Sequence, residues 1–380
     1  MNHVDLLRTL GQRFILGIQG LELNSEEIEC LEKLAPGGIV LFKRNYDNID
    51  QLAKLIEKIQ SLVMKNSLDS LPAWVSIDHE GGRVQRLGKP FTQFPPAKEW
   101  GELNSPKTSF EAGYTMAKEL LAVGVNVNFA PVLDVASSFE APALGDRIFH
   151  TDKSIVASLG AAMARGLQRG GVLSVGKHFP GHGALNVDSH DELPTCSLSL
   201  KELESEHWYS FKKTIRARLD GMMLAHVLCQ SVDDQNISTF SQKMLKLLRE
   251  DLRCEDKLIF TDDLEMGALA NDFSLEESVL KSIQAGCDHL LVCHSTLELL
   301  EIMPKLLKAF DDGAIDSKNL EASEKRIVRL KQKFLLPYSV PSPVLAKEIV
   351  GAQEFSAVSL AIQERKALES GPSSLETEKA

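Results

Sequence analysis

No window of the 380-residue sequence approaches the roughly 20 consecutive apolar side chains that a membrane-crossing helix needs. The opening MNHVDLLRTLGQRF also lacks the basic start and long apolar run of a secretory signal, so a cytoplasmic protein with no membrane partner is expected. Cysteine is sparse: Cys30, Cys196, Cys229, Cys254, Cys287 and Cys293 are scattered with no CxxC pair. That spacing disfavours a zinc ribbon or a disulfide framework and leaves reduced thiols as the expectation. Positive charge is in short supply as well, and a formal charge of -11 without a basic stripe opposes nucleic acid as a partner. No low-complexity block divides the chain, and 43% hydrophobic residues can bury a substantial core. One large domain is therefore expected, although the length alone admits two.

What the chain does have is repetition. Short apolar runs at 14–20, 37–42, 73–78, 125–131, 172–179, 221–226, 257–263 and 289–293 alternate with segments of helical period, among them 49–63, 108–123, 154–169 and 274–286. Continuous apolar strands in β-then-α order predict an α/β fold with a buried parallel sheet. Eight repeats close a (β/α)8 TIM-type barrel, lengthened here by long loops, and a doubly wound open sheet is the runner-up. The barrel is favoured by where the polar residues fall: Asp78, Lys177, His178, His226 and Asp262 all stand at C-terminal strand ends, where barrel enzymes build their sites. The predicted barrel spans 1–340. A helical extension over 341–368 is expected on its outside or as a partner-binding helix, followed by a disordered tail at 369–380.

Three clusters carry chemistry. KHFPGHGALNVDSH, from Lys177 to His190, gathers a lysine, three histidines and an aspartate, with Pro180, Gly181 and Gly183 shaping a site-forming loop. Asp188 and His190 stand two apart, close enough for the carboxylate to orient the imidazole and raise its pKa as a general acid; an Asp-turned loop with an exposed His fits equally. His178 and His182 have a metal-like spacing, but Pro180 and Gly181 interrupt the helix that would align them, so neither a metal nor another cofactor is expected. His182 is read instead as a loop residue whose ring bonds backbone. FTDDLEMGA offers Asp262 or Asp263 as a nucleophile for glycoside cleavage, which needs two cooperating groups. Strand alternation lets only one of the pair face a pocket, and the other can cap a helix. In SIDHEGGRVQRL, Asp78 with Arg83 and Arg86 suits sugar hydroxyls or a local ion pair. GDR at 145–147 follows NFAPVLDV, whose Pro131 and Asp134 place it above the same barrel face.

Taken in order, IDHEGGRVQR, NVNFAPVLDV, GDR, KHFPGHG, DSH, LAH and FTDDLEM resemble glycoside hydrolase family 3, and within it the single-domain β-N-acetylhexosaminidases of bacterial cell-wall recycling, over roughly residues 14 to 335. The resemblance implies Asp262 as the nucleophile of a retaining mechanism with a covalent glycosyl-enzyme intermediate. It implies His190, polarised by Asp188, as the acid/base. It further implies that Asp78 and Arg86 hold sugar hydroxyls, that Arg147, Lys177 and His178 bind the sugar, and that the substrate is a small carbohydrate or muropeptide: terminal β-linked N-acetylglucosamine on 1,6-anhydro-N-acetylmuramic acid or its peptides. The segment ASSFEAPALGDR and the extension beyond 341 depart from the family pattern. Alternatives that the residues leave open are a phosphorylase using phosphate in place of water, a metal-dependent hydrolase, and a sugar-binding sensor on a retired barrel. The oligomeric state is not legible from these residues.

Overall fold

Short runs of β-branched and aliphatic residues close on themselves in the computed structural model, which describes residues 3–141, 144–185 and 193–369. The barrel strands are β1 (Phe14–Gly17), β2 (Gly38–Leu41), β3 (Trp74–Ile77), β4 (Val127–Asn128), β5 (Leu173–Phe179), β6 (Gly221–Leu224), β7 (Leu258–Asp263) and β8 (His289–Val292). All pair in parallel, each with its sequence neighbour, and β1 meets β8 through Phe14 opposite Leu290 to close the ring. The expected barrel is the observed one, and the open sheet is excluded. β4 is much shorter than the apolar run at 125–131. Asn126 and Asn128 turn their side-chain oxygens to the Val75 and His79 backbone N–H groups, and Pro131 has no N–H to donate.

Alternation along each strand sends one set of side chains inward. Ile15, Val40, Trp74, Val127, Leu173, Met223, Phe260 and Leu291, one from each strand, meet in a single buried cluster. The other set packs under helices such as α1 (Ile49–Asn66), α2 (Pro106–Ala122), α3 (Lys153–Gly170) and α4 (Leu275–Ala285). Asn48, Ser105, Asp152 and Ser274 cap these four helices by accepting backbone N–H bonds, and Pro106 occupies the first turn of α2. α5 (Ser317–Leu335) seals the N-terminal end of the barrel with Ile327, Leu330 and Leu335. Its opposite end is left for chemistry.

The extension differs from a single helix over 341–368. It forms α6 (Pro343–Ile349) and α7 (Gln353–Glu369), broken where Gly351 adopts φ 75°. The break lets the Gly351 N–H donate to Glu119 on α2 at 2.8 Å, and a Cβ there would lie 2.3 Å from the Pro90 carbonyl oxygen. Ala346 and Ile362 are buried against the barrel's outer helices. Residues 370–380 of the expected tail lie outside the described residues. Among the described residues no helix is long and apolar enough to cross a membrane.

Candidate active site

Ends of seven strands, β2 to β8, and the loops after them wall a cavity of about 420 Å³ at the C-terminal mouth. Asp78, Arg86, Arg147, Lys177, His178, Asp262 and Asp263 all line it, together with Phe42, Met223, Met266 and His294. The six sequence-predicted residues among them thus converge from distant parts of the chain. Asp188 and His190 lie outside the described residues.

One wall is a chain of opposite charges. Lys177 Nζ donates to Asp78 Oδ1 and to Glu80 Oε1, each at 2.6 Å. Arg147 closes a fork on Glu80, with Nε 2.9 Å from Oε2 and Nη2 2.8 Å from Oε1, while Arg86 Nη2 reaches Asp78 Oδ2 at 3.3 Å. Burial by itself would raise the Asp78 and Glu80 carboxyls. Lys177 and Arg86 outweigh it at Asp78, and Arg147 and Lys177 at Glu80, so both stay below the ordinary carboxylate range. Lys177 is the mirror case: burial opposes its charge, but Asp78 and Glu80 hold its pKa above the usual lysine value. The paired charges therefore persist although Glu80 and Lys177 are almost wholly buried, and Asp78, Arg86, Arg147 and Lys177 line the cavity.

His178 is oriented by Asp134, which receives its backbone N–H at 3.0 Å and its Nδ1–H at 2.8 Å. Its Nε2, 3.4 Å from Arg147 Nη2, is left as an acceptor. The second oxygen of Asp134 takes the His182 N–H at 2.7 Å. His182 thus bonds to a carboxylate through its own backbone, and its ring meets His178 edge-on at 5.3 Å. Burial, then its neighbour His178, lowers its pKa to about 4.

At the floor, β7 departs from regular pairing with β8 between Phe260 and Asp263. This irregularity overturns the expectation that only one of Asp262 and Asp263 faces the pocket: both line it. Asp262 Oδ1 accepts the Asp263 N–H at 2.9 Å. Burial pushes the Asp262 carboxyl up, but His178, His226, that N–H and Lys177 prevail and keep it below the ordinary aspartate value. Asp263 is driven the other way, to about 7, by burial and by the charges of Glu265 and Asp262. The expected helix cap is also displaced: Asp263 Oδ1 accepts from Glu265 N in a turn, and the helix Gly267–Ala270 starts only after Met266. The carboxyls of two consecutive residues are thus shifted in opposite directions, Asp262 toward the anion that attack requires.

Arg83, though in the lining, pairs outward with Asp146 at 3.0 Å. Glu80 and Asp134 are site residues that the sequence reading did not assign. A signal for Glu80 exists in its spacing of two from Asp78, which in an extended segment returns both carboxylates to one face. Asp134 stood in a quoted motif, but its partners His178 and His182 are more than 40 positions away. Among the described residues no group of three His, Cys, Asp or Glu side chains is arranged to hold a metal ion.

Comparison with known proteins follows the same contour. The glycosyl hydrolase family 3 N-terminal domain pattern matches residues 6–330. The β-hexosaminidase of Nitrosospira multiformis is 37% identical over 287 residues, 74% of this chain and 80% of that protein. Among solved structures, a glycoside hydrolase family 3 β-N-acetylglucosaminidase from a Paenibacillus species superposes with a TM-score of 0.90 at 31% identity, covering 95% of this chain and 68% of its own. NagZ from Neisseria gonorrhoeae, in complex with N-trifluoroacetyl-D-glucosamine, gives a TM-score of 0.74 at 30% identity, covering 93% and 97%.

Proposed function

Because the chain belongs to glycosyl hydrolase family 3, we propose that it is a retaining β-N-acetylhexosaminidase that removes terminal β-linked N-acetylglucosamine from peptidoglycan fragments, with Asp262 as nucleophile. The observation that carries this reading is the half-buried Asp262, its carboxyl held below the ordinary aspartate range, on the floor of a cavity walled by paired polar donors and acceptors. In the first step an Asp262 oxygen attacks the anomeric carbon, and the C–O bond to the leaving sugar breaks. His190, polarised by Asp188, gives its proton to the departing oxygen. In the second step water attacks the same carbon from the vacated side, returns a proton to His190 and releases Asp262, with net retention. Asp78 and Arg86 hold hydroxyls, and Arg147, Lys177 and His178 fix the ring, so binding contacts grip the sugar while charge develops at its anomeric carbon.

The substrate on this reading is N-acetylglucosamine linked to 1,6-anhydro-N-acetylmuramic acid, with or without its peptide. A cytoplasmic setting is supported by the six cysteines, all buried and none bonded to another. The test is hydrolysis of an aryl β-N-acetylglucosaminide and of the anhydro-disaccharide by wild type, Asp262→Ala and His190→Ala, with and without phosphate. Wild-type turnover that Asp262→Ala abolishes is expected, with free N-acetylglucosamine as product. Full activity in Asp262→Ala removes the nucleophile assignment, and a sugar 1-phosphate formed only with phosphate replaces water as the acceptor.

A further inference from the structure

His226 stands two residues beyond the end of β6 and is fully buried, and it is not among the residues lining the cavity. Both ring nitrogens are engaged. Nδ1 lies 2.8 Å from Thr239 Oγ1, and Nε2 lies 2.9 Å from the backbone oxygen of Asp263. A carbonyl oxygen only accepts, so Nε2 carries the proton of that bond. The Asp263 N–H in turn donates to the Asp262 carboxylate. The contact falls where β7 loses regular pairing with β8, the stretch that turns two consecutive aspartates into one cavity. An irregular strand end has given up ladder bonds that would otherwise fix its backbone. Here an imidazole from the loop after the neighbouring strand, itself anchored to the Ser238–Phe240 turn, supplies a hydrogen bond to that backbone.

We propose that His226 is a positioning residue for the nucleophilic step: by holding the Asp263 carbonyl it sets the irregular end of β7 and thereby the direction in which the Asp262 carboxylate faces the anomeric carbon. The inference rests on Asp262 being the nucleophile. It concerns attack and not sugar affinity, because His226 stands outside the cavity wall. Attack requires reacting atoms about 3–3.5 Å apart and aligned, and a displacement of about 1 Å lowers the rate about 100-fold.

The experiment combines steady-state kinetics on an aryl β-N-acetylglucosaminide with covalent trapping by a 5-fluoro-N-acetylglucosaminyl fluoride, the labelled residue being mapped by peptide mass spectrometry. The variants are His226→Leu, His226→Gln, whose amide can donate where Nε2–H does, and Thr239→Val. Expected are a kcat about 100-fold lower for the folded Leu variant with KM within about threefold of wild type, slower labelling of Asp262, and recovery of about tenfold in kcat by Gln. A folded Leu variant with wild-type kcat, or a Gln variant no better than Leu, overturns the proposal. If the Leu variant does not fold, Thr239→Val decides: a kcat at least about fivefold lower at unchanged melting temperature supports it, and unchanged kcat overturns it. Labelling of wild type at a residue other than Asp262 removes the nucleophile assignment itself, an outcome separate from any result with His226.

Discussion

His178 presents its Nδ1 to Asp134 at 2.8 Å, and the same carboxylate oxygen takes its backbone N–H. With the His182 N–H added, one side chain satisfies three donors from the KHFPGH segment. An asparagine at 134 would offer one acceptor oxygen and set an NH2 against a donor. Asp134→Asn is therefore expected to lower kcat/KM about 10- to 100-fold, through misorientation of His178 and a donor left unsatisfied at about 1–3 kcal/mol. Kinetics with a circular-dichroism melt checks it, and a variant with wild-type kcat/KM refutes it.

Glu80 joins Lys177 to Arg147 in a buried position. Glu80→Gln removes the charge both cations face, and breaking such a pair costs about 3–5 kcal/mol. The pH dependence has a definite sign. Asp78, Glu80 and Asp134 have depressed folded pKa values, so their stabilisation is present above the ordinary carboxylate range and lost as pH falls through the folded values. Urea melts from pH 7 downward should show wild type losing more stability than Glu80→Gln. Parallel curves would show that Glu80 does not contribute to this linkage.

Asp263 gives the opposite sign. Its folded pKa of about 7 exceeds that of an unfolded aspartate, so the fold binds its proton more tightly, and stability falls as pH rises through the interval up to about 7. Asparagine imitates the neutral form. The melting temperature of Asp263→Asn relative to wild type is expected to rise between pH 5 and pH 8, and a constant difference across that range would contradict the raised value.

Gly351→Ala tests the docking of the C-terminal helices. With φ 75° and the Pro90 oxygen in the way, a Cβ forces the break between α6 and α7 to reopen. A loss of at least about 1–2 kcal/mol is expected. Hydrogen exchange should localise it to α7, whose Ser359 bonds the Gln93 carbonyl at 2.6 Å. Exchange unchanged in α7 would show that the helix is held independently of the break.

The barrel was legible because most strands are short, mainly apolar runs and helices such as α1 to α4 carry their own period and cap. Convergence of Asp78, Arg86, Arg147, Lys177, His178 and Asp262 followed from their placement at strand ends or in the loops after them, a property of topology that local patterning reports. What escaped depended on contacts between distant segments. Asp134 has no meaning until β5 lies beside it. The irregularity in β7 leaves no mark in FTDDLEM, since alternation is the only rule the residues themselves display. Gly351 reads as a tolerable helix interior until Pro90 and Glu119 stand opposite it.

The Asp78–Lys177–Glu80–Arg147 chain of charges has a consequence for how this pocket meets its ligand. Folding already pairs these four groups with one another and takes most of each out of water, so in the proposed reading an arriving hydroxyl displaces the remaining solvent and not a counter-ion. Recognition then resembles fitting a key to a lock whose tumblers are already aligned: selectivity follows hydroxyl stereochemistry, and dissolved salt, which screens exposed charges across about 8 Å at physiological strength, has little purchase on it.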